Sequence, residues 1–189
     1  MKATEMNDNT QSVDYDSITK GQRVIVEPNE WERDITDESL SESEQSYRQF
    51  FTEMVEAYSE RRPSWYKLKP GPRNYLTFSA GVSRIRFGWV FHQGPEFAVE
   101  LYISTPDKER NEEIFDSLRE NREEIESNMS AELKWERLSE KQACRIKWPK
   151  QIETGITELT TDQRSQLVTW GADVMDDFQS EFEPQISEL

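Results

Sequence analysis

Residues 75–103 read YLTFSAGVSRIRFGWVFHQGPEFAVELYI, and the alternation inside that stretch decides the fold. From Ser83 to Phe91, Ile85, Phe87, Trp89 and Phe91 fall on one side, and Arg84, Arg86 and Gly88 on the other. A period of two is the mark of a half-buried strand. Just before it, Tyr75 to Ala80 sets Leu76 and Phe78 against Tyr75, Thr77 and Ser79. Gly81-Val82 between the two runs fits a two-residue hairpin turn with glycine at its first central position. After His92-Gln93-Gly94-Pro95, a third run aligns Phe97, Val99, Leu101 and Ile103, which leaves Glu96, Glu100 and Tyr102 on the side of the arginines. The expected product is a meander with one apolar and one polar face, as antiparallel sheets commonly have.

Outward from the meander, the periodicity changes to that of helices. Tyr47, Phe50, Phe51, Met54, Val55 and Tyr58 predict a helix over 43–61 with one buried stripe. Pro63 ends it, and Pro70-Gly71-Pro72 makes the segment before the first strand a stiff irregular loop. On the other side, a second helix is expected to open at Thr105-Pro106, with proline at the first helical position, and to run to about Ser127. A second hairpin is expected over 133–138 and 143–148, turning near Glu140. In its return strand Cys144, Ile146 and Trp148 alternate with Arg145 and Lys147. Thr160 to Gln163 has capping-box spacing and opens a last helix over 161–182. The order α-βββ-α-ββ-α is an α+β fold, with one antiparallel sheet of about five strands and the helices packed on one face.

The 189 residues suit a single domain over 43–183, with an acidic, largely disordered extension over 1–42 and a short tail over 184–189. Trp31 is the residue of that extension expected to anchor it. With 38 acids against 23 bases the formal charge is −15, which disfavours adhesion to nucleic acid or anionic lipid except through a local patch. Glutamate-rich composition of this kind points to a salt-adapted cytoplasm, that of a halophilic archaeon, where screening relieves self-repulsion; an ordinary acidic bacterial protein is the alternative. Cys144 is the one cysteine, so no internal disulfide can form, and one histidine with one cysteine excludes a thiolate–imidazole metal cluster. Met1-Lys2-Ala3-Thr4-Glu5 lacks a signal-peptide core, and no apolar run is long enough to span a bilayer. The expectation is a cytoplasmic protein without membrane contact and without a cofactor.

Against that acidity, residues 61–95 contain no Asp or Glu. The candidate binding residues all lie there: Arg61, Arg62, Trp65, Lys67, Lys69 and Arg73 on the loop side, and Arg84 and Arg86 on the polar face of the sheet. Cations can neutralise phosphates and exposed aromatics can stack on unpaired bases, so nucleic acid is the leading partner. Two other readings stay open. Arg84 and Arg86 share a face with Glu96 and Glu100, and cross-strand ion pairs could neutralise them. The aromatic loop could equally anchor a protein partner or a second copy.

Catalytic motifs are weaker. Pro106-Asp107 with Glu132-Leu133-Lys134 spells the pattern of a PD-(D/E)XK nuclease, but a whole helix separates the two parts, which the chemistry wants on adjacent strands. His92 sits at an expected turn with no partner indicated, and Cys144 is in phase with Ile146 and Trp148 as a small buried residue. No catalytic residue and no metal site is assigned.

The strand Phe97-Ala98-Val99-Glu100-Leu101-Tyr102-Ile103, the helix with Phe115, Leu118 and Ile125-Glu126, and the strands Leu133-Lys134-Trp135-Glu136-Arg137-Leu138 and Cys144-Arg145-Ile146 together resemble the family catalogued as domain of unknown function 4268. The resemblance covers roughly residues 47–180. It implies an accessory domain, often found C-terminal to restriction-nuclease-like modules, and an association with DNA handling by analogy of architecture. It brings no catalytic residues, and nuclease activity is not carried over.

Overall fold

A computed structural model describes residues 39–63 and 68–189; Trp65, Lys67 and Trp31, together with residues 1–38, lie outside the described part. Helix α1, Glu42–Arg61, starts at a full capping box. Ser41 Oγ accepts from the Glu44 amide, and the Glu44 carboxylate accepts from the Ser41 amide at 2.9 Å. Its stripe of Phe50, Phe51, Met54, Val55 and Tyr58 is buried.

Strands β1 (Tyr75–Ser79), β2 (Ile85–His92) and β3 (Glu96–Ile103) form the expected meander. Strands β4 (Lys134–Leu138) and β5 (Ala143–Gln151) complete one antiparallel sheet in the order β1-β2-β3-β5-β4. Between β3 and β4 lie helices α2, Lys108–Glu120, and α3, Arg122–Met129, and helix α4, Thr161–Ser187, closes the domain. Thr160 and Gln163 form its capping box. The helices cover the face that carries Phe87, Trp89, Phe97, Val99, Leu101 and Ile146, and these side chains are buried with the helical stripes in one continuous core. Trp89 Nε1 donates to the Gly171 carbonyl of α4 at 2.8 Å, which ties β2 to that helix.

Three local expectations are corrected. The β1–β2 hairpin has a four-residue loop, not a two-residue turn: Ser79 pairs with Arg86, and the Ala80 amide donates to the Ile85 carbonyl across Gly81–Arg84. Both Gly81 (φ 87°) and Arg84 (φ 68°) take left-handed conformations there, and only the first is a residue whose identity signals it. The second helix does not begin on Pro106. Asp107 is the cap, its Oδ1 accepting from the Glu109 and Arg110 amides, and the helix breaks at Asn121 into α2 and α3. Finally, α4 extends through Pro184 to Ser187 and buries Ile186, so those residues belong to the helix and not to a tail.

Candidate functional site: a charged cleft on the open face of the sheet

The sheet face away from the helices is concave over β2 and β3. Its registered rows are Thr77–Gly88–Glu100–Lys147–Lys134, then Arg86–Tyr102–Arg145–Glu136, with Tyr75–Val90–Ala98–Pro149 beside them. A cleft of about 460 Å³ opens there. Gly88 lies beneath it, and its missing side chain makes room for Thr77: a Cβ at that position would meet Thr77 Cγ2 at 2.9 Å.

The cations of this face fall into two groups. On the β4–β5 side they are paired. Arg145 Nε donates to Glu136 Oε2 at 2.7 Å, and Lys147, buried, holds Glu96 Oε1 at 2.6 Å. Lys134 adds a contact to Glu96 Oε2 at 3.3 Å. Burial pushes the Glu96 carboxyl up, but the hydrogen bonds and charges of Lys147 and Lys134 outweigh it and hold the group below the usual range. On the β1–β2 side, Arg84 and Arg86 are exposed, line the cleft, and meet no carboxylate among the described residues. Lys141 reaches the same cleft from the β4–β5 connection, also without an acidic partner among the described residues.

Between the two groups lies Glu100, 6% exposed. Its Oε2 takes His92 Nε2 at 3.1 Å and faces Arg145 NH1 at 3.5 Å. The same Arg145 nitrogen meets His92 Nδ1 at 3.5 Å. A guanidinium can only donate, so Nδ1 is an acceptor and the imidazole carries its proton on Nε2, aimed at the carboxylate. Tyr102 closes that side; burial first, and the Glu100 charge second, push its phenol above the ordinary range, against a smaller opposing effect of Arg145. At the opposite rim Tyr75 is 39% exposed, with Arg73 donating to its hydroxyl at 2.9 Å and lying 5.9 Å above its ring.

The sequence-derived candidates are thus divided. Arg84 and Arg86 come together in the cleft, and Arg73 stands at its edge beside Tyr75. Lys69 is exposed on the preceding loop, while Trp65 and Lys67 are outside the described residues. Arg61 and Arg62 belong elsewhere. Arg61 Nε donates to Asp173 Oδ1 and Arg62 Nε to Asp176 Oδ1, each at 2.6 Å, and Arg62 also meets Glu183 and Ser180. They join α1 to α4 and are already neutralised. Their partners lie 112 and 114 residues away, beyond the reach of local reading. His92 ends β2 with its ring in the cleft, a correction to its reading as a turn residue, and Glu100 and Tyr102 were legible only as members of the polar face. Asp107 is occupied as a helix cap.

Five antiparallel strands with helices on one side and a partly unneutralised cationic cleft on the other define an α+β domain with one open sheet face. The chain belongs to the family described as Domain of unknown function (DUF4268), whose model matches residues 46–186. No curated protein and no solved structure matches it.

Proposed function

We propose that the chain is a non-catalytic accessory module that holds a single-stranded stretch of nucleic acid on the open face of its sheet. The observation that carries this reading is the contrast on that face: Arg145, Lys147 and Lys134 have carboxylate partners, whereas Arg84 and Arg86 line a cleft without one among the described residues. In a chain of charge −15, two such guanidiniums are a local anion site. Tyr75 and Tyr102 line it, and aromatic side chains there favour unpaired bases over a duplex. The glutamate-rich composition supports a salt-rich cytoplasm as the setting. There phosphate contacts weaken, and stacking and base-edge hydrogen bonds must carry more of the affinity.

The test is the anisotropy of a labelled 12-nucleotide single-stranded DNA titrated with the protein at several KCl concentrations. Affinity should fall linearly on a log–log plot as counterions are released. Binding indifferent to KCl would instead support a protein partner on this face and end the nucleic-acid reading.

A further inference from the structure

We infer that the cleft holds a single base subsite in which Glu100 selects a base carrying an exocyclic amino group over thymine or uracil. This rests on the nucleic-acid reading above and specifies what that surface recognises. Three observations carry it. First, Glu100 is half-satisfied: both contacts reach Oε2, and Oε1 takes no hydrogen bond among the described residues although the residue lines the cleft. Oε1 is not sealed off from the surface either, so solvent or a ligand reaches it. A nearly buried carboxylate with one free lone-pair oxygen is an acceptor in want of an N–H donor.

Second, the cross-strand partner of Glu100 on the β2 side is Gly88. The space that a Gly88 side chain would take is filled by Thr77 of β1 and Val90 of β2, so the wall of the cleft beside the carboxylate is apolar. A flat ring packed on Thr77 and Val90 would bring its edge to Oε1. Third, Arg86 lies on the same strand and face two residues from Gly88, about 6.8 Å along the strand, and Arg84 follows at the loop. The cleft volume of about 460 Å³ suits one nucleotide. A phosphate on the arginines and a base against Thr77 and Val90 would fill it.

The chemistry at Oε1 sets the preference. The 4-amino group of cytosine donates to a carboxylate oxygen, whereas thymine and uracil present a carbonyl oxygen at the same place and are repelled. The donors around Oε2 also fix what a substitution does. In Glu100→Gln, Arg145 and the His92 Nε2–H hold the amide oxygen at the Oε2 position, so the amide NH2 replaces Oε1 and turns the acceptor into a donor. The preference should then invert toward thymine.

The experiment compares labelled (dC)12 and (dT)12 by anisotropy with the wild-type chain, Glu100→Gln, and Arg84→Ala/Arg86→Ala, with thermal melts confirming that each variant is folded. The wild type should bind (dC)12 about tenfold more tightly. Glu100→Gln should lose or reverse that ratio, and the arginine variant should weaken both ligands in proportion. Salt-dependent binding of both oligonucleotides with equal affinity, or a cytosine preference that survives in Glu100→Gln, overturns the subsite while leaving the nucleic-acid reading standing. Absence of salt-dependent binding to either oligonucleotide overturns both.

Discussion

Changing Arg84 and Arg86 together to alanine should remove most of the salt dependence of oligonucleotide binding, and the size of the effect follows from the ion pairs. Each unpartnered guanidinium can neutralise one phosphate, and for a single strand each neutralised phosphate contributes about 0.7 to the slope of log affinity against log salt. Two such groups make the variant's slope shallower by about 1.4. Across a tenfold rise in KCl, the affinity gap between wild type and variant should therefore close by about 25-fold. The matched control is Arg61→Ala/Arg62→Ala, which removes the same charge from guanidiniums already held by Asp173 and Asp176 at 2.6 Å. The control should leave the slope unchanged. Its cost should appear in stability instead: the arginine side chains are one-quarter exposed and their carboxylate partners more so, and after solvent screening the two bridges together contribute about 1–2 kcal/mol. Anisotropy titrations from about 0.05 to 0.5 M KCl measure the first effect and urea unfolding measures the second. A slope that flattens in the Arg61/Arg62 variant, or stays put in the Arg84/Arg86 variant, refutes the assignment of the free cations.

Other consequences concern the scaffold of the cleft. Glu96→Gln leaves buried Lys147 with Glu136 at 3.8 Å as its remaining acid, and should cost about 2–4 kcal/mol at pH 7 in urea unfolding. Because the folded Glu96 carboxyl titrates below its ordinary value of 4.5, its contribution is full above that pH and lost as pH falls through the lower folded value. Wild type and Glu96→Gln should therefore converge in acid, and a gap that stays constant below about pH 4 would contradict the pairing. Asn111→Ala should lower stability by about 2–4 kcal/mol, since the fully buried amide donates to the Thr105 and Gln142 carbonyls at 3.0 and 2.8 Å and accepts from the Thr105 amide at 2.8 Å. A loss below about 0.5 kcal/mol would show that those backbone groups find other partners. Cys144, 2% exposed and with its thiol raised chiefly by burial, should react with thiol reagents only as the chain unfolds; rapid labelling of the native protein would contradict its place in the core.

The parts of the fold that the sequence announced are those governed by short-range period. Ile85, Phe87, Trp89 and Phe91 had to share a face once the strand was recognised, and Thr160 with Gln163 marks a helix start within four residues. Arg84 hid its left-handed backbone because arginine gives no cue to it, and the hairpin loop was read two residues too short. The second helix starts at Lys108, two residues after Pro106, because Asp107 as its cap satisfies two free amides. The cleft was half legible. Alternation put Thr77, Arg86, Glu100, Tyr102 and Arg145 on one face, yet nothing local distinguishes Arg62, which is bound to α4, from Arg86, which is not.

That distinction follows from register and from how the neighbouring carboxylates are shared. Keeping the apolar side chains of β2 and β3 on the same face requires their registers to differ by two residues at a time. The observed pairing puts Arg86 opposite Tyr102 and closes β2 to β3 through Gln93–Pro95, with Gly94 at φ 83° making the turn. Slipping one step to set Arg86 opposite Glu100 would move the centre of the turn from Gly94, which takes the left-handed backbone, to Gln93. Slipping the other way would bring Ser104 opposite Arg86 and carry the acids further off. Glu100 therefore faces Gly88 on one side and Lys147 on the other, and turns to His92 and Arg145. Glu96, opposite His92 and Gln151, is taken by Lys147 and Lys134. Arg145, on the far side of Tyr102, reaches Glu100 across the same diagonal that Arg86 would need, so it is the sharing of Glu100 and Glu96 among His92, Arg145, Lys147 and Lys134 that leaves Arg86 without an acid among the described residues.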